Sequence, residues 1–174
     1  FIPIAERSDQ INEIGRYVID VVCMQTKNWI DAGHELIGSI NLSAKQLEQD
    51  SIVNDLQKSL DQYQLHPKYL ELEITESVMI NNEKKNMDTL NKIKDIGLLL
   101  SIDDFGTGYS SFNYLNNMPI DTLKIDKSFV SDIDKEQEKY KITSSIISMA
   151  KDLNISVIAE GVETKDEFAT LETF

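Results

Sequence analysis

The sequence predicts an α/β fold in which a parallel sheet is closed as a (β/α) barrel. Apolar strand-like segments alternate with helical segments at a repeat of roughly 20 to 35 residues, and such alternation is typical of parallel sheets covered by helices. Each predicted strand also carries polar residues at or near its C-terminal end, namely Asn41, Glu73, Asp103, Lys124 with Asp126, and Glu160. A closed barrel gathers its strand ends at one mouth, whereas an open sheet forms its crevice at a switch point. The polar strand ends therefore favour the barrel.

The composition is that of a globular protein of 174 residues, which is enough for one domain. With 17 Lys and Arg against 30 Asp and Glu, the net charge of −13 would repel DNA or RNA, so no nucleic acid polymer is expected as a partner. Cys23 is the only cysteine, which excludes an internal disulfide and favours a core residue in a reducing compartment. No apolar run approaches the roughly 20 residues of a membrane span, so we expect no membrane contact from this segment. The expected location is cytoplasmic, including the cytoplasmic part of a larger, membrane-anchored protein.

The first predicted helix spans residues 8–33 and ends at Gly33, which suits a C-terminal cap. Its apolar residues recur at helical spacing: Ile11, Ile14, Val18, Val22 and Trp29. Residues 36–40 follow as a short apolar strand. The capping-box pair Ser43 and Gln46 then predicts one helix through about Tyr63.

The middle of the chain predicts a second strand and a third helix. Residues 70–76 alternate apolar and polar side chains, as a half-buried strand does. Residues 83–96 form the predicted helix, and Gly97 stops it.

The third strand, which begins at Leu98, ends on two adjacent acids, Asp103 and Asp104. Successive strand side chains point to opposite faces, so both acids can serve one site only if the chain leaves the strand at the second. The following Gly106 and Gly108 permit such a turn. Two anions about 4 Å apart repel by roughly 4 kcal/mol at an effective dielectric near 20, so a cation is expected between them, most economically a divalent metal.

The last part of the chain predicts two strands, at 122–126 and 156–160. The helix between them spans residues 140–153 and presents one apolar face, made of Ile142, Ile146, Met149, Ala150 and Leu153. Thr164 and Glu167 form the capping box of a final helix that runs to Phe174.

Each polar strand end also has a purely structural interpretation. Glu73 could be a solvated strand residue, and Lys124 and Asp126 could form an ordinary pair on one strand face. The segment from Gly106 to Ser111 nearly matches a dinucleotide-binding fingerprint, but Ser111 replaces its third glycine and the preceding acids would repel a pyrophosphate. His34 and His66 lie in loop-like contexts, and neither is assigned a catalytic role.

Five motifs resemble, in order and spacing, those of the EAL family of cyclic di-GMP phosphodiesterases. They are Asn41-Leu42-Ser43, Glu71-Leu72-Glu73-Ile74-Thr75-Glu76-Ser77, Asp103-Asp104-Phe105-Gly106-Thr107-Gly108-Tyr109-Ser110-Ser111, Leu123-Lys124-Ile125-Asp126 and Ala159-Glu160-Gly161-Val162-Glu163-Thr164. The resemblance implies a TIM-like (β/α) barrel that hydrolyses cyclic di-GMP to linear pGpG with Mg²⁺ or Mn²⁺.

The resemblance also implies a set of metal ligands. Asn41, Glu73 and Asp103 would hold a first metal, and Asp103 would bridge to a second metal held also by Asp104. Glu160 would be a ligand of the second metal or the general base. Two metals so placed would neutralise the carboxylates and lower the pKa of a bridging water.

Further residues receive supporting roles from the same resemblance. Lys124 would hold the attacking water or a phosphate oxygen, and Asp126 would be a supporting carboxylate. Glu76 would anchor the loop of residues 105–111, which contains Gly106 and Thr107 and would link a dimer interface to the metals. Glu163 would contact the metal ligands and not the metal ions themselves.

The family's naming Glu-Ala-Leu motif, whose Glu is a metal ligand, does not occur in this chain. We therefore expect residues 1–174 to be a single EAL domain that is incomplete at both ends, with about five of the eight strands of a barrel. The parent protein is expected to be an active homodimer with attached sensory or other signalling domains, and this segment alone to be weakly active or inactive. Two alternatives remain: a non-catalytic cyclic di-GMP receptor or signalling module, and an unrelated metal-dependent barrel hydrolase.

Overall fold

The computed structural model describes residues 1–49, 51–76, 83–107 and 115–174. The described helices are α1 (Ile2–Arg7), α2 (Gln10–Asp31), α3 (Ala44–Leu47), α4 (Ile52–Tyr63), α5 (Glu83–Ile96), α6 (Lys127–Val130), α7 (Gln137–Asp152) and α8 (Lys165–Leu171). The strands are β1 (Gly38–Asn41), β2 (Leu70–Thr75), β3 (Leu99–Phe105), β4 (Thr122–Ile125) and β5 (Ser156–Ala159). They form a five-stranded sheet in the order β1-β2-β3-β4-β5, and a short 3-10 helix (Pro67–Tyr69) precedes β2.

The chain divides into two compact units, Phe1–Leu100 and Ser101–Phe174. In the first unit β1 and β2 pair in parallel, and α2 packs against both α4 and β1. The buried side of this strand pair carries apolar side chains that exclude water: Ile40, Leu72 and Ile74. The opposite side is polar, and on it Ser39 Oγ donates to Glu71 Oε2 at 3.2 Å. This alternation places one face of each strand on the helices.

The predicted helix at residues 43–63 is wrong in its continuity, because the structure has two helices, α3 and α4. The capping box of Ser43 and Gln46 is confirmed at the start of α3. Ile52, Leu56 and Leu60 repeat every four residues and are buried, but Leu47 precedes Ile52 by five positions. A single straight helix would turn Leu47 away from the shared face, so the break keeps all four residues buried.

The strand predicted at residues 36–40 is shorter in the structure. Leu36 and Ile37 are about half exposed, and β1 begins at Gly38. A Cβ at Gly38 would lie 2.3 Å from Thr26 Oγ1, so the absence of a side chain lets β1 approach α2 closely. The helix-stopping glycines are confirmed, since Gly33 and Gly97 follow α2 and α5 with φ of +87° and +100°.

The second unit contains β3 from Ser101 onward and the strands β4 and β5, which pair in parallel, together with α6, α7 and α8. The capping box of Thr164 and Glu167 is confirmed, although α8 ends at Leu171 and not at Phe174. The predicted apolar face of α7 is only partly right. Ile146 and Ala150 are buried, but Thr143 replaces Ile142 there, because its hydroxyl donates to the carbonyl oxygen of Phe129 at 3.2 Å.

Cys23 has the predicted core position, with no exposed surface on α2. Burial, with a smaller contribution from the negative charge of Asp20, raises the pKa of its thiol to about 11. This thiol is therefore protonated at neutral pH and unsuited to nucleophilic chemistry. Among the described helices, none combines the length and apolar character needed to cross a bilayer.

Candidate active site

A β-bulge in β3 carries the two adjacent acids of the second unit. Ile102 pairs with Leu123 and Phe105 pairs with Ile125, so Asp103 and Asp104 together face a single residue of β4. Two residues opposite one is the definition of a bulge, and it interrupts the alternation of side chains between faces. Asp104 absorbs the irregularity with a left-handed φ of +53°. The prediction that the chain leaves the strand at the second acid is therefore wrong, because β3 continues to Phe105.

The bulge brings both acids to a third carboxylate that follows β5. One oxygen each of Asp103, Asp104 and Glu160 lies within 4.8 Å of the other two. We call these three residues the acid cluster. The N–H of Glu160 donates to the carbonyl oxygen of Ile125 at 3.0 Å, which fixes the backbone of Glu160 beside the end of β4.

Lys124 supplies a cation next to this cluster from the centre of β4. Its Nζ lies 2.7 Å from Glu160 Oε1 and 3.3 Å from Asp103 Oδ1, and only 13% of its side chain is exposed. Lys124 thus places one positive charge beside Asp103 and Glu160, and a metal ion between the two adjacent acids stays a prediction. One ammonium against three carboxylates leaves a surplus of negative charge.

Burial and the neighbouring negative charges act on the pKa of Asp104 in the same direction. Desolvation raises the pKa of Asp104 from its ordinary value, and the negative charges of Asp103, Asp126 and Glu160 act in the same direction. The charge of Lys124 lowers this pKa only in part. Carboxylate oxygens are the ligands that Mg²⁺ and Mn²⁺ prefer, so the donor set of the acid cluster fits a divalent ion of this kind.

Asp126 has a local role that the sequence interpretation missed. It lies just beyond β4 and caps α6, where its Oδ1 accepts from the backbone N–H of Ser128 at 3.0 Å and from the Ser128 hydroxyl at 2.5 Å. The Ser128 hydroxyl is the main reason why the pKa of Asp126 is lowered, and a hydrogen bond with Asp104 contributes. Asp is among the preferred residues directly before a helix, and this preference could have revealed the role.

Asn41 and Glu73 belong to the first unit, whereas the acid cluster belongs to the second. The two residues are register partners on β1 and β2, so their side chains point to the same side of the sheet. Asn41 is exposed and Glu73 is buried. The backbone N–H of Leu42 donates to the Glu73 carbonyl at 2.8 Å and holds the two strand ends together.

The predicted loop begins directly after the bulge. Gly106 has a φ of +99°, and a Cβ at this position would lie 2.7 Å from Cε2 of Phe129. Thr107 Oγ1 donates to the carbonyl oxygen of Asp104 at 2.9 Å, which closes the turn. Glu76 directly follows β2 and is described, whereas the motif residues 77 and 108–111 lie outside the described part of the chain.

The carboxylate of Glu163 has its ion-pair partner outside the acid cluster. Its carboxylate pairs with Nζ of Lys127, the first residue of α6. Lys127 also packs on Gly161, where an added Cβ would meet Lys127 Cγ at 2.6 Å. The pair of Glu163 with Lys127 was not expected from the sequence, because no local pattern links residues 127 and 163.

The family profile of the EAL domain matches residues 1–174. The chain belongs to the EAL domain family. We call residues 1–174 the EAL segment. The EAL segment is 43% identical over 163 residues to the signaling protein YkoW of Bacillus subtilis (strain 168), a match that covers 94% of this chain and 20% of YkoW. It is 38% identical over 173 residues to the bifunctional diguanylate cyclase/cyclic di-GMP phosphodiesterase MucR of Pseudomonas aeruginosa, covering 98% of this chain and 25% of MucR.

The EAL segment also superposes on a solved structure described as the PaMucR phosphodiesterase in complex with c-di-GMP. The TM-score is 0.93 at 36% identity, and the match covers 99% of this chain and 70% of that chain. The predicted fold class is confirmed, because the five-stranded parallel sheet corresponds to part of the barrel-like architecture of EAL structures. The EAL segment spans about a fifth to a quarter of the curated relatives it matches.

Proposed function

We propose that the protein carrying this EAL segment hydrolyses cyclic di-GMP to linear pGpG with the help of Mg²⁺ or Mn²⁺. The observation that carries the proposal is the acid cluster, whose three carboxylates lie within 4.8 Å of one another beside the ammonium of Lys124. The names of the relatives support the choice of substrate, since MucR is described as a cyclic di-GMP phosphodiesterase and its domain structure as a c-di-GMP complex.

The residues that would hold the metal ions are the oxygen donors at the strand ends: Asn41, Glu73, Asp103, Asp104 and Glu160. Bound divalent ions would lower the pKa of a coordinated water and offset the negative charge of the phosphodiester. Because the whole chain carries a net charge of −13, local positive charge is needed for an anionic substrate to bind at all.

The chain's own residues contribute charge, orientation and a proton acceptor. Lys124 presents a cation at the acid cluster, where it can hold a phosphate oxygen or the attacking water. Glu160 is proposed as the general base in the alternative to its role as a ligand of the second metal, because its carboxylate is partly exposed and lies in the acid cluster. Asp126 supports Asp104 from the start of α6. The reaction breaks one phosphodiester bond by hydrolysis and needs no covalent nucleophile.

We further propose that the full-length protein acts in the cytoplasm, as a homodimer with additional signalling domains. The support for additional domains is that relatives of this segment are four to five times longer. The noncatalytic alternative, a cyclic di-GMP receptor, is less favoured because each expected metal and base position present in this chain carries the required residue type.

The test is product analysis with the full-length protein. With Mn²⁺ or Mg²⁺ it should convert cyclic di-GMP to pGpG, and a chelator should stop the reaction. Asp103→Asn should lower kcat/KM by more than about 100-fold, because it removes a charged ligand. Asp152→Asn, an exposed change at the end of α7, is the matched control and should leave turnover unchanged. Binding of cyclic di-GMP without metal-dependent hydrolysis would instead identify a receptor.

A further inference from the structure

Glu167 is a buried carboxylate outside the acid cluster, with only 5% of its surface exposed. Its Oε1 accepts the backbone N–H of Asp132 at 2.9 Å. Its Oε2 accepts the backbone N–H groups of Glu163 and Thr164, both at 2.9 Å. The contacts to Thr164 belong to the capping box of α8, but the contact to Asp132 spans 35 residues and has no part in helix capping.

Glu167 joins the segment after β5 to the end of α6, and both that segment and α6 begin at or near a residue of the acid cluster. Glu163 lies three residues after Glu160, on the segment that connects β5 to α8. Asp132 follows α6, the helix that is capped by Asp126 beside Asp104. The same two segments meet again where Lys127 pairs with Glu163.

Besides Glu167, few described contacts hold the segment between Glu160 and Thr164, and the ion pair of Glu163 with Lys127 is one of them. Glu160 is tied through its N–H to Ile125, and Gly161 has a φ of +70° and packs on Lys127. The N–H groups of Glu163 and Thr164 depend on Glu167. Without Glu167, the position of Glu160 beside Asp103 would rest mainly on its hydrogen bond to Ile125 and its ion pair with Lys124.

We propose that Glu167 is a positioning residue that clamps the segment after β5 to the end of α6 and so keeps Glu160 in the acid cluster. This inference rests on the proposed function, since it assigns the clamp to the same cation site. A glutamine can serve in a capping box, but it has only one acceptor oxygen. Glu167→Gln must therefore lose either the contact to Asp132 or the contacts to Glu163 and Thr164.

The experiment measures Mn²⁺ affinity of the full-length protein by electron paramagnetic resonance. Glu167→Gln should raise the Kd for Mn²⁺ by roughly tenfold, the lower end of the effect of changing residues that orient metal ligands. Ile146→Val, a core truncation on α7, is the control: it should lower the unfolding midpoint without changing the Kd for Mn²⁺. An unchanged Kd in Glu167→Gln would overturn the proposal and reduce Glu167 to a helix cap.

A second measurement needs no variant. Because coupling between two sites is reciprocal, Mn²⁺ bound to the wild-type protein should slow hydrogen exchange at the amides of Asp132 and Glu163. Hydrogen-exchange rates at these amides that are the same with and without Mn²⁺ would contradict the clamp. If the wild type binds Mn²⁺ and hydrolyses cyclic di-GMP but both tests fail, only the clamp is wrong. If the wild type binds no Mn²⁺ and hydrolyses nothing, the proposed function fails and the clamp fails with it.

Discussion

Nζ of Lys124 lies 2.7 Å from Oε1 of Glu160, so a cation built into β4 neutralises part of the acid cluster. Lys124→Met should therefore lower the free energy of unfolding of the metal-free protein by about 1 kcal/mol, after allowance for solvent screening. Saturating Mn²⁺ should remove most of this difference, because it supplies the missing positive charge. Urea unfolding with and without Mn²⁺ measures both effects.

The control for this prediction is Lys135→Met, which breaks an exposed pair with Asp132. It should change stability little, and equally with and without Mn²⁺. The interpretation of Lys124 as a counter-ion would be wrong if Lys124→Met lost the same stability in the presence and absence of the metal.

Glu167 should make stability depend on pH in the acid range. Its backbone hydrogen bonds, with that from Asp132 first, lower its pKa from 4.5 to about 2. A carboxyl whose pKa is lower in the folded state stabilises the fold above its unfolded pKa, and this stabilisation is lost as the pH falls through the folded value. The stability gap between wild type and Glu167→Gln should thus be full at neutral pH and shrink below about pH 5. A gap that stays constant down to pH 2 in denaturant titrations would contradict the assigned pKa.

Asp104 should show opposite effects on stability and on metal binding. Its φ of +53° is costly for a residue with a Cβ, and glycine adopts this conformation without strain. Asp104→Gly should therefore be more stable than Asp104→Ala by about 1 kcal/mol, although both remove the same carboxylate. Both variants should bind Mn²⁺ more weakly than the wild type. Equal unfolding midpoints for the two variants would mean that the bulge stores no backbone strain.

Gly106 should be intolerant of even one methyl group. Gly106→Ala combines a φ of +99° with a contact of 2.7 Å to Phe129 Cε2, so it should cost about 1 to 3 kcal/mol of stability. Phe129→Leu in the same chain should recover the steric part of this loss and leave the part due to φ. A double-mutant cycle of unfolding free energies separates the two, and strict additivity would show that the two side chains do not meet.

Local patterns in the sequence were sufficient for the five strands, for most of the longer helices and for several of their ends, but they missed the short helices α1 and α6. Both capping boxes and the two glycines that follow α2 and α5 were predicted, because each depends on residues within a few positions of one another. The candidate site residues could be proposed at the strand ends for a related reason: parallel strands bring their C-terminal ends to the same edge of the sheet.

What the tertiary structure decided depends on residues that are far apart in the chain. The bulge that turns Asp103 and Asp104 toward Glu160 comes from the pairing of β3 with β4, which no pattern within β3 specifies. The burial of Thr143 in place of Ile142 and the three backbone contacts of Glu167 likewise depend on which segments pack together. The sequence by itself thus determined the alternation of strands and helices and the chemical type of the site. Only the packed structure determined which carboxylate meets which cation, because that choice rests on contacts between distant residues.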